Sequence, residues 1–381
     1  MRLGIRPCFF NSLTASIGNI KEGPRRMKNV VICCDGTANQ YAADKTNVLK
    51  LFSNLTRSND QVAFYHPGIG TMEPEGAITD VGRKIRRGLG MAIGWGLERD
   101  LAHAYGYIMN VFEPGDRLYL FGFSRGAYTV RALASILSMY GLFPKGNEAL
   151  VPYAIRQLAS FNDHEGSATE KFALAVGFKK AFASAECPVH FMGVWDTVSS
   201  VGWIANPLRM PRTAYNPDVL HARHAVAIDE RRAFFRPNLF TTAPAGKPTR
   251  DTVEVWFPGV HADVGGGYGS AQSGLSKLAL EWMLAEAAAQ GLQCDPAKAR
   301  LLFAEDEKIS ENGTMHNSLC RWWWLAEVVP KKRRRGGWRL NFARRRTIPQ
   351  GAKVHRAAIT RFNYKLKLPA SYYIIERPKD L

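Results

Sequence analysis

The residues LYLFGFSRGAY, 118–128, set the architecture to look for. An apolar run of strand length ends in Gly122-Phe123-Ser124-Arg125-Gly126, and a helix-forming stretch, 127–139, follows without a linker. A strand that turns straight into a helix through G-x-S-x-G makes a nucleophile elbow, which holds a serine hydroxyl out on a tight turn. Gly122 and Gly126 remove Cβ atoms where strand and helix crowd together. The pattern predicts Ser124 as an activated nucleophile. The backbone N–H of Arg125 lies beside it by construction and can donate to a developing oxyanion.

Other strand-like runs flank this one. VVICC (30–34) ends in Asp35-Gly36-Thr37, QVAFYH (61–66) in a turn, VHFMGVW (189–195) in Asp196, and TVEVWF (252–257) shortly before His261. Helical spacing of apolar residues is found after Asn47, which can cap a helix over 48–55, and over 97–111, 130–142, 150–161, 170–183, 220–235 and 275–289. Strands alternating with helices imply an α/β, α/β-hydrolase-like fold, a mostly parallel sheet with helices on both faces. The stretches 150–161 and 170–183 are expected to form helical cap insertions over the site. Residues 82–96 are glycine-rich and basic but contain no G-x-x-x-x-G-K-[ST], so a loop or lid is expected there rather than a nucleotide cradle.

Three strand ends thus carry Ser124, Asp196 and His261, and in open α/β sheets ligands bind beyond those ends. The order Ser…Asp…His is that of an α/β-hydrolase. A serine hydroxyl needs a base to take its proton, an imidazole can do so near neutrality, and a carboxylate fixes the imidazole tautomer. Asp229 and Asp263 remain rival acids, and His316 and His355 rival bases. Gly36 or Thr37 is expected to add a second oxyanion donor to Arg125. A D-x-D-G-T phosphatase reading fails, because Cys33 stands where the first aspartate must be.

CCDGT (33–37), LFGFSRGAYTVRALA (120–134), VWDTV (194–198), AIDERR (227–232) and WFPGVHADVGGGY (256–268) resemble the DUF2235 family, over about residues 29–370. That family includes the catalytic domain of the first class of type VI secretion phospholipase effectors. The resemblance implies an α/β-hydrolase fold, serine acyl-ester hydrolysis, phospholipase A activity in secreted members, and nucleophile, acid and base at Ser124, Asp196 and His261. The expected enzyme is therefore a serine esterase or lipase acting through an acyl-enzyme, with phospholipid as substrate and no cofactor or metal. A small-ester hydrolase or thioesterase is the alternative within this class. Outside it stands a non-catalytic scaffold that binds anionic membrane or nucleic acid.

Composition bears on partners. The chain has 381 residues, a formal charge of +18 and 46% hydrophobic residues, enough for a large core. Three adjacent tryptophans, Trp322, Trp323 and Trp324, precede nine Lys/Arg without an acid between Lys331 and Arg346. Trp322–Trp324 with Lys331, Lys332, Arg333, Arg334 and Arg335 suit an anionic lipid surface. Nucleic acid is the competing partner, and a solvated loop beside core tryptophans the plain alternative. The expected organisation is an N-terminal extension, 1–27, disordered, with Met27 an alternative start to Met1; a catalytic domain, 28–320; and a basic, Trp-rich extension of it, 321–381. No secretory signal or run of 18 apolar residues is present. Adjacent Cys33 and Cys34 inside a strand argue for free thiols. The chain is expected in the cytoplasm as synthesised, with type VI export if it is an effector.

Overall fold

The computed structural model describes residues 26–36, 45–68, 91–162, 166–198, 202–203, 206–207, 210–233, 235–304, 310–319, 324, 327, 331–332, 338–339 and 341–378. Its frame is one eight-stranded, fully parallel sheet. In chain order the strands are β1 (Asn29–Cys34), β2 (Gln61–His66), β3 (Arg117–Phe123), β4 (Val189–Trp195), β5 (Val219–Ala227), β6 (Asp251–Phe257), β7 (Ala352–His355) and β8 (Tyr372–Ile375). In space they lie 8-7-6-5-4-3-1-2. The chain steps outward from β1 to β2, then returns to β3 on the other side, so the order reverses between β1 and β3. A crevice at that switch point is where such sheets bind ligands.

Helices cover both faces. On one side lie α2 (Met91–Val111), α3 (Arg125–Tyr140), α4 (Val151–Ala159) and α5 (Ala168–Phe182), sharing a core with Val30, Ile32, Leu118, Leu120 and Val194. On the other, α1 (Asn47–Asn54) and α7 (Gly274–Ala289) pack with Val31, Cys33, Phe121, Trp195 and Phe257. Two short helices, α6 (His261–Gly265) and α8 (Pro296–Ala304), flank α7 in sequence. Because both faces are covered, β1 reads as one continuous apolar run, as a buried parallel strand should.

Four expectations need correction. The helix expected over 220–235 is absent among the described residues. Val219–Ala227 is strand β5, and its polar residues are satisfied by carboxylates: Arg223 by Asp251 and Glu286, His224 by Glu254. Helix α1 is capped by Thr46, whose Oγ1 accepts from the Leu49 N–H, while Asn47 uses its amide to bind the carbonyls of Val264 and Ser276. Residues 91–96 begin α2 instead of continuing a loop; 82–90 lie outside the described residues. Helix α5 does not roof the elbow. Its Phe178 packs on Tyr140 and Phe143, and Lys179 bonds the Ser138 carbonyl. Those contacts are near the end of α3, some ~20 Å of helix from Ser124. Helix α4 buries Val151, Ala154, Ile155 and Leu158 in the same core.

The segment after residue 340 is not an appendage. β7 and β8 extend the main sheet, and a small third core joins Val226 and Trp256 to Ile348, Val354 and Ala358. Arg377 pairs with Glu281 of α7 at 2.5 and 2.9 Å.

Candidate active site

Ser124 follows the last residue of β3 with φ 59° and ψ −117°, a conformation that L-residues rarely hold. The glycines make it possible. A Cβ on Gly126 would lie 2.2 Å from the Cys34 carbonyl, and one on Gly122 would lie 2.5 Å from the Gly126 carbonyl. Gly126 therefore lets the end of β1 press against the start of α3. Asp196, next after β4, also has positive φ, 37°. The sheet ladder runs on through both turns: Ser124 N–H donates to Trp195 O and Asp196 N–H to Ala225 O. His261 opens α6, just beyond β6.

These three side chains meet. The Ser124 hydroxyl lies 2.8 Å from His261 Nε2, and His261 Nδ1 lies 2.5 Å from Asp196 Oδ2. All three residues are buried, with Asp196 fully so. Phe123 and Phe235 flank the imidazole at centroid distances of 4.6 and 4.9 Å, and Gly265 leaves room for the Phe123 ring. Asp196 Oδ1 also accepts from the Ala227 N–H at 3.0 Å. Its remaining partner is Arg346, with Nη1 at 2.5 Å from Oδ1 and Nη2 at 3.1 Å from Oδ2. Burial alone would disfavour the charge on Asp196, but Arg346 and His261 outweigh it and hold the carboxyl well below the usual range.

Residues 28–286, about two thirds of the chain, match the family described as "T6SS, Phospholipase effector Tle1-like, catalytic domain". The chain belongs to that family. Its parallel sheet with helices on both faces is an α/β fold. An uncharacterized protein of Saccharomyces cerevisiae, YEL023C, is 37% identical over 228 residues, 57% of this chain and 33% of the yeast protein's own length. A solved structure of an uncharacterized protein from Pseudomonas aeruginosa is 21% identical, covers 73% of this chain and 49% of its own, and has a TM-score of 0.42. Acyl-protein thioesterase 2 of Zea mays is 10% identical over 69% of this chain and 94% of its own, with a TM-score of 0.32.

Other residues singled out by sequence are placed as follows. Arg125 is the first residue of α3, where an N–H has no partner within the helix. Gly36 sits beside the elbow, but its N–H is donated to Asp35 Oδ1 at 2.6 Å, so in this arrangement it is not an open oxyanion donor. Asp35 is further tied to Thr46 and Tyr65. Thr37 lies outside the described residues. The rival acid Asp263 and the rival base His316 hold each other at 2.6 Å, with Tyr268 stacked on the imidazole. Asp229 accepts from the Gly259 N–H and the Tyr364 hydroxyl. His355 is buried against Phe257, and burial drives its imidazole down to about 4. None of these four bonds Ser124.

Trp324 is half exposed; Trp322, Trp323, Arg333, Arg334 and Arg335 lie outside the described residues, and Lys331–Lys332 pairs with Trp338–Arg339 as a small antiparallel ladder. Two site residues escaped sequence reasoning. Glu230 faces the His261 N–H at 3.3 Å and pairs with Arg232; it lies inside the quoted AIDERR motif. Arg346 ends the basic run, and nothing in the composition distinguished it from the other basic residues there.

Proposed function

We propose that this chain is a serine esterase that hydrolyses carboxylic esters of phospholipids, with Ser124 as nucleophile, His261 as base and Asp196 as the group that orients it. One observation carries the reading: the unbroken hydrogen-bond chain from Ser124 Oγ through His261 to Asp196, at 2.8 and 2.5 Å. With Nδ1–H donated to Asp196, Nε2 is the basic nitrogen facing the hydroxyl. Ser124 Oγ attacks the ester carbonyl carbon as its proton passes to Nε2. The oxyanion is met by the Arg125 N–H at the positive end of α3. Collapse expels the alcohol, which takes the proton from His261 and leaves an acyl group on Ser124. Water then repeats the sequence and releases the fatty acid.

The substrate class follows the family's phospholipase description. Its type VI description makes delivery by that route the fitting one. We assign Trp322–Trp324 and Lys331–Arg335 to contact with the anionic surface on which such a substrate lies, and we place the catalytic domain at 28–320, with 321–381 as an extension that completes it. A fluorophosphonate probe should label the wild type and not Ser124→Ala. Purified protein on phosphatidylglycerol vesicles should release fatty acid and lysophospholipid. Labelling that persists in Ser124→Ala, or phospholipid left intact while the probe reacts, would overturn the nucleophile or the substrate, respectively.

A further inference from the structure

We propose that Arg346 is a positioning residue of the reaction, a counter-ion that keeps Asp196 charge-compensated and fixed against His261. The inference rests on the reading of Ser124, His261 and Asp196 as the reacting groups. Its basis is geometric. Arg346 straddles both oxygens of Asp196, at 2.5 and 3.1 Å, donates to the Ala227 carbonyl at 2.8 Å and also binds the Phe235 carbonyl. Its side chain is 6% exposed and that of Asp196 0%. A guanidinium in a fixed fork matches a carboxylate as a lysine does not.

The surroundings show why this one charge matters. Two carboxylates, Asp196 and Glu230, approach His261, and a third, Asp263, lies two residues beyond it in sequence. Asp263, on α6, is paired with His316. Glu230, after β5, is paired with Arg232, whose guanidinium also lies over the Phe235 ring. Asp196, after β4, is paired with Arg346. Without Arg346, the carboxylate in direct contact with the imidazole would be left uncompensated in a buried site. Coulomb attraction would then favour the imidazolium and hold its proton. With Arg346 in place, Asp196 still accepts the Nδ1–H bond and fixes the tautomer, but the pair is neutral as a unit. The imidazole gives up its proton to the leaving alcohol more readily. Arg346 acts on the ring a second way, by holding the backbone of Phe235, whose side chain closes over it.

The test reads the His261 titration directly, by NMR of protein carrying 13C-labelled histidine, with His261→Gln identifying the signal. Turnover is not needed for this. Arg346→Gln should raise the midpoint by roughly one to two pH units, the scale of a unit charge removed about 6 Å away in a partly screened interior. The acid limb of kcat/KM on a soluble ester should move upward with it. Arg346→Lys should keep the limb within about half a unit but lose the fork, lowering kcat by about tenfold. Because Arg346→Gln leaves a buried carboxylate alone and can unfold the chain, a second pair of variants decides the matter independently. Asp196→Asn/Arg346→Gln leaves neither charge alone and should titrate about one to two units above Asp196→Asn. An unmoved His261 midpoint in the folded variants overturns the proposal, whether or not the protein is an esterase. A wild type that the probe does not label at Ser124, with a moved midpoint in the variants, would instead overturn the esterase reading and keep the coupling.

Discussion

Ser124 and Asp196 end neighbouring strands in the same uncommon backbone state, with φ of 59° and 37°. Strain of this kind persists where surrounding structure over-determines it, and here the ladder bonds to Trp195 O and Ala225 O do so. Asp196→Asn, which keeps the shape, should lower kcat by about 10⁴ through the wrong imidazole tautomer, while circular dichroism stays native. A second residue-scale prediction concerns the buried group behind the elbow. Burial holds His66 down to about 4 and pushes Asp100 up to about 7, with His66 Nε2 and Asp100 Oδ1 3.5 Å apart. Between pH 4 and 6.5 the unfolded chain carries the proton that folded His66 lacks, so His66 makes stability rise with pH. Over pH 4 to 7 folded Asp100 keeps a proton that the unfolded chain has lost, so Asp100 makes stability fall. The two oppose each other in the wild type. In urea titrations, Asp100→Asn should gain stability from pH 4.5 to 6.5 and His66→Gln should lose it; equal slopes would contradict this assignment. At this scale the sequence was informative where a residue sits in a motif. Ser124, Asp196 and His261 could be named because each lies at or shortly beyond the end of a strand. Arg346 could not, because its meaning comes from folding a basic run back onto a carboxylate far upstream.

At the scale of elements, the junction of β1, β3 and α3 depends on the absence of a methyl group at residue 126. Gly126→Ala would thrust a Cβ onto the Cys34 and Asp35 carbonyls at 2.2 and 2.4 Å. Backbone must shift to admit it, at a cost of about 1–3 kcal/mol. Labelling of Ser124 should fall with the loss of melting temperature. Thr46 joins two elements, capping α1 and donating to Asp35 at 2.5 Å. Thr46→Ala should cost about 1–2 kcal/mol by chemical denaturation, and restoring only the hydroxyl with Thr46→Ser should recover most of it. Strands bounded by turn residues were legible in the sequence: Val189–Trp195 and Gln61–His66 were read to the residue. β5 was not, because a central strand buried on both faces has no alternation, and its two histidines and its arginine imitate the polar stripe of a helix. β7 and β8 are four residues each, too short for any periodicity to register.

At the scale of the molecule, the charge of +18 argues for salt-sensitive attachment to an anionic surface. Flotation with vesicles containing phosphatidylglycerol should show binding that weakens between 0.05 and 0.5 M salt, on the order of the change in screening. Reversing Lys331 to Arg335 to glutamate should abolish most of it; equal binding to neutral phosphatidylcholine would contradict the assignment. Those substitutions spare Arg346, so esterase activity on a soluble substrate should survive them. The whole-chain architecture was legible from alternating strands and helices, but the role of the last sixty or so residues was not. Composition marks them as a surface tail. Glu327, fully buried and accepting from the backbone N–H groups of Ala233 and Ala343, shows that part of this segment is interior. The position of Arg346 has a consequence for biosynthesis. More than half the chain is polymerised between the elbow serine and its distant arginine. A nascent chain or fragment ending before residue 346 therefore carries the nucleophile without the counter-ion for Asp196. If Arg346 acts as proposed, activity should therefore appear only once the chain is complete past residue 346, which fragments ending before it should show by failing to turn over a soluble ester.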